Sequence, residues 1–312
     1  MLARILGNRL SAVFVREERP SPSRRVRELA EWNVEELRRI VPASKFEPVT
    51  ILDVDNAVVG GRNAVEAVRR HSFSSVTDIL VDMSAMSIGT SFPIVRYLLE
   101  LVERGEQSPN LHVVVATLPE EDEGRRRVSN DVVSIVHGFH GGLKLDSQAR
   151  SAKLWIPQLS VPKLTALEKI YAALSFDDVC PILPFPSQNP RAGDAIAEQF
   201  IEQIEGAWEV DARNIVYASE DDPIDVYRTI LDIEEQRRPV FEETIKSVVV
   251  LSPVGTKAVA LGSLLAALDR GLPVVYVEAM KYDVPTKEDR VKAESELLHV
   301  WLHGDAYPRA GS

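Results

Sequence analysis

The sequence has a single cysteine, Cys180, in 312 residues, so it can form neither an internal disulfide nor a thiolate metal cluster. That fits a reducing cytoplasm. It also lacks an apolar run near the roughly 18 residues a membrane-spanning helix needs. The opening stretch MLARILGNRLSAVFVREERP carries Arg4, Arg9 and a short apolar segment, which Glu17 and Glu18 follow without a small-residue cleavage site. Neither a secreted nor a membrane-embedded protein is expected. Basic charge is scarce as well: 36 Lys and Arg against 47 Asp and Glu give a formal net charge of −11. An acidic chain of this kind lacks the electrostatic footprint of a duplex-DNA binder, although one basic pocket can still hold a small anion. Repeats of fixed short period and low-complexity tracts are missing too.

What is present is an ordinary globular composition, 45% hydrophobic and 27% charged. Short β-branched runs alternate with amphipathic stretches, which predicts an α/β fold, Rossmann-like, with mostly parallel sheet and flanking helices. Strands are expected at Ser11–Val15, Val49–Val54, Asp78–Met83, Leu111–Thr117 and Val132–Val136, with an edge strand near Lys153–Ile156. Helices are expected over Ser23–Ile40 and Ser91–Glu103. The four prolines of Pro181–Arg191 read as a rigid connector that is neither helix nor central strand. A second α/β run follows, with strands near Asn214–Ala218, Ser247–Ser252 and Pro273–Glu278. Its helices fall near Asp194–Gly206, Pro223–Gln236 and Thr256–Arg270. A final charged helix is predicted over Lys287–His303. The division suggested is an N-terminal lobe of residues 1–160 and a C-terminal lobe of residues 161–312, as two facing lobes or one extended sheet.

The most informative segment is SVVVLSPVGTKAVALGSLLAALDRGLPVVYVEA, Ser247 to Ala279. An apolar strand ends at Ser252, Pro253 and Gly255 shape a turn, and Thr256 with Lys257 opens a helix. Glycine lets backbone approach a ligand, Thr256 caps the helix or donates its hydroxyl, and free N–H groups with Lys257 favour an anion. In an open α/β sheet, ligands sit at such strand C-terminal ends. The alternative is an ordinary strand-to-helix turn with a solvated lysine. The segment is not a P-loop, which needs a longer glycine loop with Lys before Ser or Thr.

This strand, the Gly-Thr-Lys turn and the Ala/Gly-rich helix carrying Gly262 resemble the ligand-binding corner of CARF domains, the CRISPR-associated Rossmann-like sensors of cyclic oligonucleotides. The resemblance is clearest over Ser247–Glu278. It implies Gly255, Thr256 and Lys257 beside ligand phosphates and a homodimer with the ligand across its two-fold axis. It also implies a role in prokaryotic antiviral defence. No nuclease, HEPN ribonuclease or helix-turn-helix module is recognisable after the sensor, so the output is expected through a separate effector protein, with no cofactor required.

Other residues complete the candidate set. In DMSAMSIGTSFP, Asp82 to Pro93, the hydroxyls of Ser84, Ser87, Thr90 and Ser91 precede a helix, with Pro93 suited to its first turn. This loop reads either as the opposing wall of the same cleft or as a helix capped by Ser91. Arg191 begins a helix after the stiff connector, either reaching the cleft or lying at the surface. In ILDVDNAVVGGRN, Asp53 and Asp55 resemble the nucleophile-plus-acid strand of haloacid dehalogenase-like phosphatases, which use Mg²⁺. The alternative is that both line a turn with Gly60 and Gly61. His137 with His140, and His299 with His303 at i, i+4, are the candidate metal pairs, each short of a third ligand. Arg125–Arg127 and Arg237–Arg238 suit solvation and helix ends, and Glu220, Asp221 and Asp222 suit a helix start. A scaffold with no catalytic role is the remaining reading.

Overall fold

The computed structural model describes residues 5–105, 109–117, 126–141, 143, 151–160, 164–241, 246–283 and 296–307. Strands and helices alternate along the chain, and the strands form several small, mostly parallel or mixed sheets. In the first half, β1 (Ala12–Glu18) pairs in parallel with β2 (Ser44–Thr50), and α1 (Arg24–Ile40) makes the crossover. Ser23, expected as the first helical residue, lies one before the helix and caps α1 by accepting the Val26 N–H. Then come α2 (Gly60–Arg69), β3 (Asp78–Asp82), α3 (Ile88–Glu103) and β4 (Asn110–Thr117), with β3 and β4 parallel.

The second sheet system starts before the division at residue 160. Strand β5 (Arg126–Ile135) pairs antiparallel with β11 (Val275–Asp283), and β6 (Ser151–Pro157) pairs in parallel with both β10 (Lys246–Ser252) and β7 (Asp178–Val179). β8 (Ile182–Pro184) pairs in parallel with β9 (Val216–Ala218). Parallel bridges at Gln158–Ile182 and Leu251–Val274 join these pieces edge to edge. The resulting series is β9, β8, β6, β10, β11, β5. Its chain order runs outward in one direction from β6 through β8 to β9, and in the other from β10 to β11, so the winding reverses between β6 and β10.

The strands are covered on both faces. Leu154, Ile156, Val249 and Leu251 point to one core, while Trp155, Val248 and Val250 point to the other. That alternation is the period of two expected of a strand. The second core is aromatic-rich: Trp155 stacks on Phe176 and meets Trp208 edge-on, over α4 (Leu164–Ala173) and α5 (Ala192–Gln199). The first core holds α6 (Pro223–Phe241) and α7 (Lys257–Arg270) and continues into Val113, Val115 and Ile51 of the first half. Helix α7 is buried from Ala258 to Ala267, because α6 packs along it and β4 and α3 lie against it. Its small residues allow this. A Cβ on Gly262 would stand 2.5 Å from Pro223 O and 2.7 Å from Val226 Cβ of α6.

Four sequence expectations need correction. Residues 296–303 form strand β12 (Glu296–His303), antiparallel to β4, where a helix over Lys287–His303 was expected; residues 287–295 lie outside the described residues. Leu298, Val300 and Leu302 pack on the core in alternation, and the long-range pairing with β4 decides the matter. Strand β6 is interior, where Lys153–Ile156 was expected at an edge. The proline-rich connector contains a paired strand, β8, because Pro181 lacks an N–H yet its carbonyl still accepts from Val216 N at 3.0 Å. Finally, β2 ends at Thr50, so Asp53 and Asp55 lie beyond the strand.

Candidate functional site

The turn from β10 into α7 is built as a cap. Thr256 Oγ1 accepts the Val259 N–H at 3.3 Å and donates to Glu220 O at 2.8 Å, so its one hydrogen is committed to the fold. Ser252 is completely buried, and its Oγ accepts the Trp155 indole N–H at 2.9 Å. Gly255 leaves room for Val259, whose Cγ1 would stand 3.0 Å from an added Cβ. Lys257 reaches across to the first half of the chain, and its ammonium donates to Met86 O.

That lysine brings the β10–α7 turn against the loop between β3 and α3. Here Ser84 Oγ donates to Asp82 at 2.5 Å and accepts the Ala116 N–H at 2.7 Å. Ser87, not Ser91, is the residue before the helix. Its Oγ sits 3.0 Å from Thr90 Oγ1, while Ser91 Oγ donates back to Ser87 O at 2.8 Å from inside the helix. Pro93 likewise lies beyond the first turn of α3. The Ser87 N–H is capped in trans by Glu17 Oε1 at 2.7 Å.

Glu17 belongs to a buried ionic cluster that ties β1 to β11. Arg19 donates to Glu17 at 2.8 Å, to Glu278 at 2.8 Å and to Ala279 O at 2.9 Å. Burial raises the Glu17 carboxyl, and Arg19 with the Ser87 N–H more than offsets this, so its pKa ends below the ordinary value. Burial also raises Glu278, and Arg19 offsets it only in part, so that pKa ends high. Tyr276 is raised further, by burial and then by the charges of Glu278 and Glu17. Its phenol fills the place where Gly89 has no side chain.

A cleft opens on the other side of the β10–α7 turn, at the carboxyl ends of β6 and β10, where the winding reverses. It encloses about 50 Å³ and is lined by Gly255 and Thr256, by Gln158 and Ser160 after β6, and by Ile182 and Glu220. Of the sequence candidates, Gly255 and Thr256 border this cleft. Ser252, Lys257, Ser84, Ser87, Thr90 and Arg191 are not among its lining residues. Arg191 is exposed at the start of α5, and its N–H is held by Asn189. The β3–α3 loop therefore stands against Lys257 without walling this cleft.

Sequence reasoning missed Gln158. Its side chain is 1% exposed, its Nε2 donates to Ser263 Oγ, and its Oε1 has no partner. The signal available was position alone, one residue past a strand taken for an edge.

The other candidates separate. Asp53 Oδ1 accepts the Val54 N–H, and Asp53 N donates to Ala57 O, which closes an exposed turn through Asp55 and Asn56 at φ 59°. Among the described residues no three His, Cys, Asp or Glu side chains are placed to hold a metal ion. His299 lies on β12 with His303, and its Nε2 stands 3.0 Å from His112 Nδ1. The His137 pKa is lowered by burial and by the nearby charges of His140, Arg62 and Arg96. Cys180 is buried and its thiol is pushed up to about 12 by burial, which removes it as a nucleophile. Asp222 and Asp225 cap the start of α6, accepting from Ile224 N and Ser219 N. Among the described residues no helix is long and apolar enough to cross a membrane.

Fold and cleft together define an α/β protein with a small crevice, mostly apolar with a few polar groups, at a reversal of strand order. No protein-family model and no curated protein matches the chain.

Proposed function

We propose that the protein is a CARF-like sensor or regulatory subunit that binds a phosphate-bearing ligand, a nucleotide or cyclic oligonucleotide, in the β6–β10 crevice. The observation that carries this reading is the crevice itself. In Rossmann-like sheets ligands bind where strand order reverses, at the strand carboxyl ends and against a helix N-terminus. Here that place holds Gly255, Thr256 and Val259 at the start of α7. A cleft of about 50 Å³ is far below the roughly 300–1,000 Å³ of drug-sized sites, so it takes one polar end of a ligand.

On this reading no bond is broken. Ligand binding favours one geometry of a homodimer, or of a complex with a separate effector in an antiviral system, by its differential affinity for two states. Lys257 acts from the side, holding Met86 and thereby the β3–α3 loop. No metal or organic cofactor is needed.

The test is a thermal-shift and calorimetric screen against cyclic di-, tri-, tetra- and hexanucleotides, AMP, ATP and inorganic phosphate. A ligand of the folded state raises the melting temperature by mass action. The rise should vanish in Ser160→Phe, which puts a ring into the cleft. No rise with any nucleotide, or an undiminished rise in that variant, contradicts the assignment.

A further inference from the structure

A larger pocket lies apart from the crevice, where the start of α2 meets the loop after β5. It encloses about 170 Å³ and shares no lining residue with the crevice. Gly61 and Arg62 of α2, His137 after β5 and Tyr276 of β11 line it, and among the described residues no carboxylate does. Glycine permits this approach: a Cβ on Gly61 would stand 2.8 Å from His137 Cβ and 2.7 Å from Gly89 O.

The groups collected here are donors and cations. Val59 N and Gly60 N both donate to Ile51 O at 3.0 Å, and Val59, as cap, supplies no side-chain acceptor. The next two N–H groups, those of Gly61 and Arg62, have no acceptor among the described residues. Gly61 has no side chain, so its part of the pocket wall is backbone. The Arg62 guanidinium likewise makes no ion pair or hydrogen bond among the described residues, although Glu66 stands one turn further along α2. Burial, then the charges of His140, Arg62 and Arg96, hold the His137 pKa below its ordinary value, and Glu66 opposes them only in part. Arg96 of α3 is engaged elsewhere, by Glu100 at 2.9 Å and by Gly138 O. Arg62 is therefore the uncompensated cation of the pocket, in a chain whose net charge is −11.

Such a set matches a group made only of acceptors. The volume is about six times the roughly 30 Å³ share of a water molecule and below the roughly 300 Å³ of a drug-sized site. A tetrahedral oxyanion with few further atoms fits it.

We propose that this pocket is a second ligand site, which takes a phosphoryl or sulfuryl oxyanion, free or at the end of a small metabolite, on Arg62, His137 and the Gly61 N–H. Arg62 offers a fork of donors matched to two oxyanion oxygens, and Gly61 lets a third approach the backbone. His137 joins by taking up a proton, because a bound anion favours the imidazolium and offsets the cations around it. The site does not depend on the nucleotide reading of the crevice.

The experiment is calorimetry of sodium sulfate and of glycerol 1-phosphate with the full chain, at an ionic strength held constant with sodium chloride, for the wild type, Arg62→Gln and Ser160→Phe. At least one of the two anions should bind the wild type saturably, at least about tenfold more weakly in Arg62→Gln, and unchanged in Ser160→Phe. Binding of sulfate alone marks a free oxyanion as the occupant, and binding of glycerol 1-phosphate alone marks a phosphate ester. The bound anion should also raise the pKa of His137, followed by NMR of its imidazole protons. No saturable binding of either anion overturns the proposal and leaves the nucleotide reading standing. Affinity that survives in Arg62→Gln overturns it, as does affinity lost in Ser160→Phe, which would move the anion to the crevice. A His137 pKa left unmoved by the bound anion overturns it as well, and that measurement needs no variant.

Discussion

The polar groups buried just beyond β1 and those buried just beyond β6 are built on opposite terms. At the junction of β1, β11 and α3, Arg19 answers both Glu17 and Glu278, and Glu17 answers the N–H of Ser87 just before α3. In the β6–β10 crevice, a few residues from the cap of α7, Gln158 Oε1 is left unanswered. Complete pairing is what a structural joint needs, since a half-satisfied buried network costs more than an apolar one. The contrast separates a closed joint from a crevice whose buried amide keeps one unmet acceptor.

The contrast breaks most visibly at Arg19. Arg19→Met strands two buried carboxylates, and equilibrium denaturation at neutral pH should show a loss of about 3–5 kcal/mol. A loss below about 1 kcal/mol would mean the cluster is not the joint described. Gly262→Ala comes next. Helix propensity alone predicts a gain, yet the Cβ would stand 2.5 Å from Pro223 O. Overpacking of α6 against α7 should cost about 1–3 kcal/mol, and a rise in melting temperature would contradict that close approach.

A smaller effect distinguishes the two acids of the joint by sign. Glu17 is lowered, so its contribution is present above about 4.5 and is lost as pH falls through its native value. Glu278 is raised, so the native state holds its proton more tightly and its contribution falls as pH rises from about 4.5 through the native value. Glu278→Gln should therefore flatten the decline of melting temperature expected of the wild type as pH rises above about 4.5, read by thermal unfolding across a buffer series. A steeper decline would reverse the assignment. The smallest stability change belongs to the crevice: Gln158→Met should cost under about 1 kcal/mol, because one bond to Ser263 is exchanged for an unmet acceptor. A drop comparable to that of Arg19→Met would place Gln158 among the structural residues.

Much of the fold was legible because local signals agreed with the tertiary outcome. Thr256 was a cap in the expected place, and the β-branched run at residues 247–252 is the strand it looked like. Residues 296–303 were not legible. Leu297, Leu298, Val300 and Trp301 satisfy a helical stripe and a strand alternation alike, and only β4, far away in sequence, selects the strand. Prolines misled at β8 for a related reason: the carbonyl of Pro181, not its missing N–H, is what the neighbouring strand uses. In the candidate site, Gly255 and Thr256 were readable from a turn motif. Gln158 was not, because an amide acquires meaning only when its burial and its partners are known.

The pairing of β12 with β4 has a consequence for the order in which the chain is made. Thr117 meets Glu296 across 179 residues of sequence. At roughly 5–20 residues per second, one edge of β4 waits about 10–35 s on the ribosome before its neighbour exists. During that interval β6, β8, β9, β10 and α7 are all synthesised, so the later half of the protein can assemble first. The β3–β4 sheet is then completed only after the strands that lie between β4 and β12 in sequence have been made.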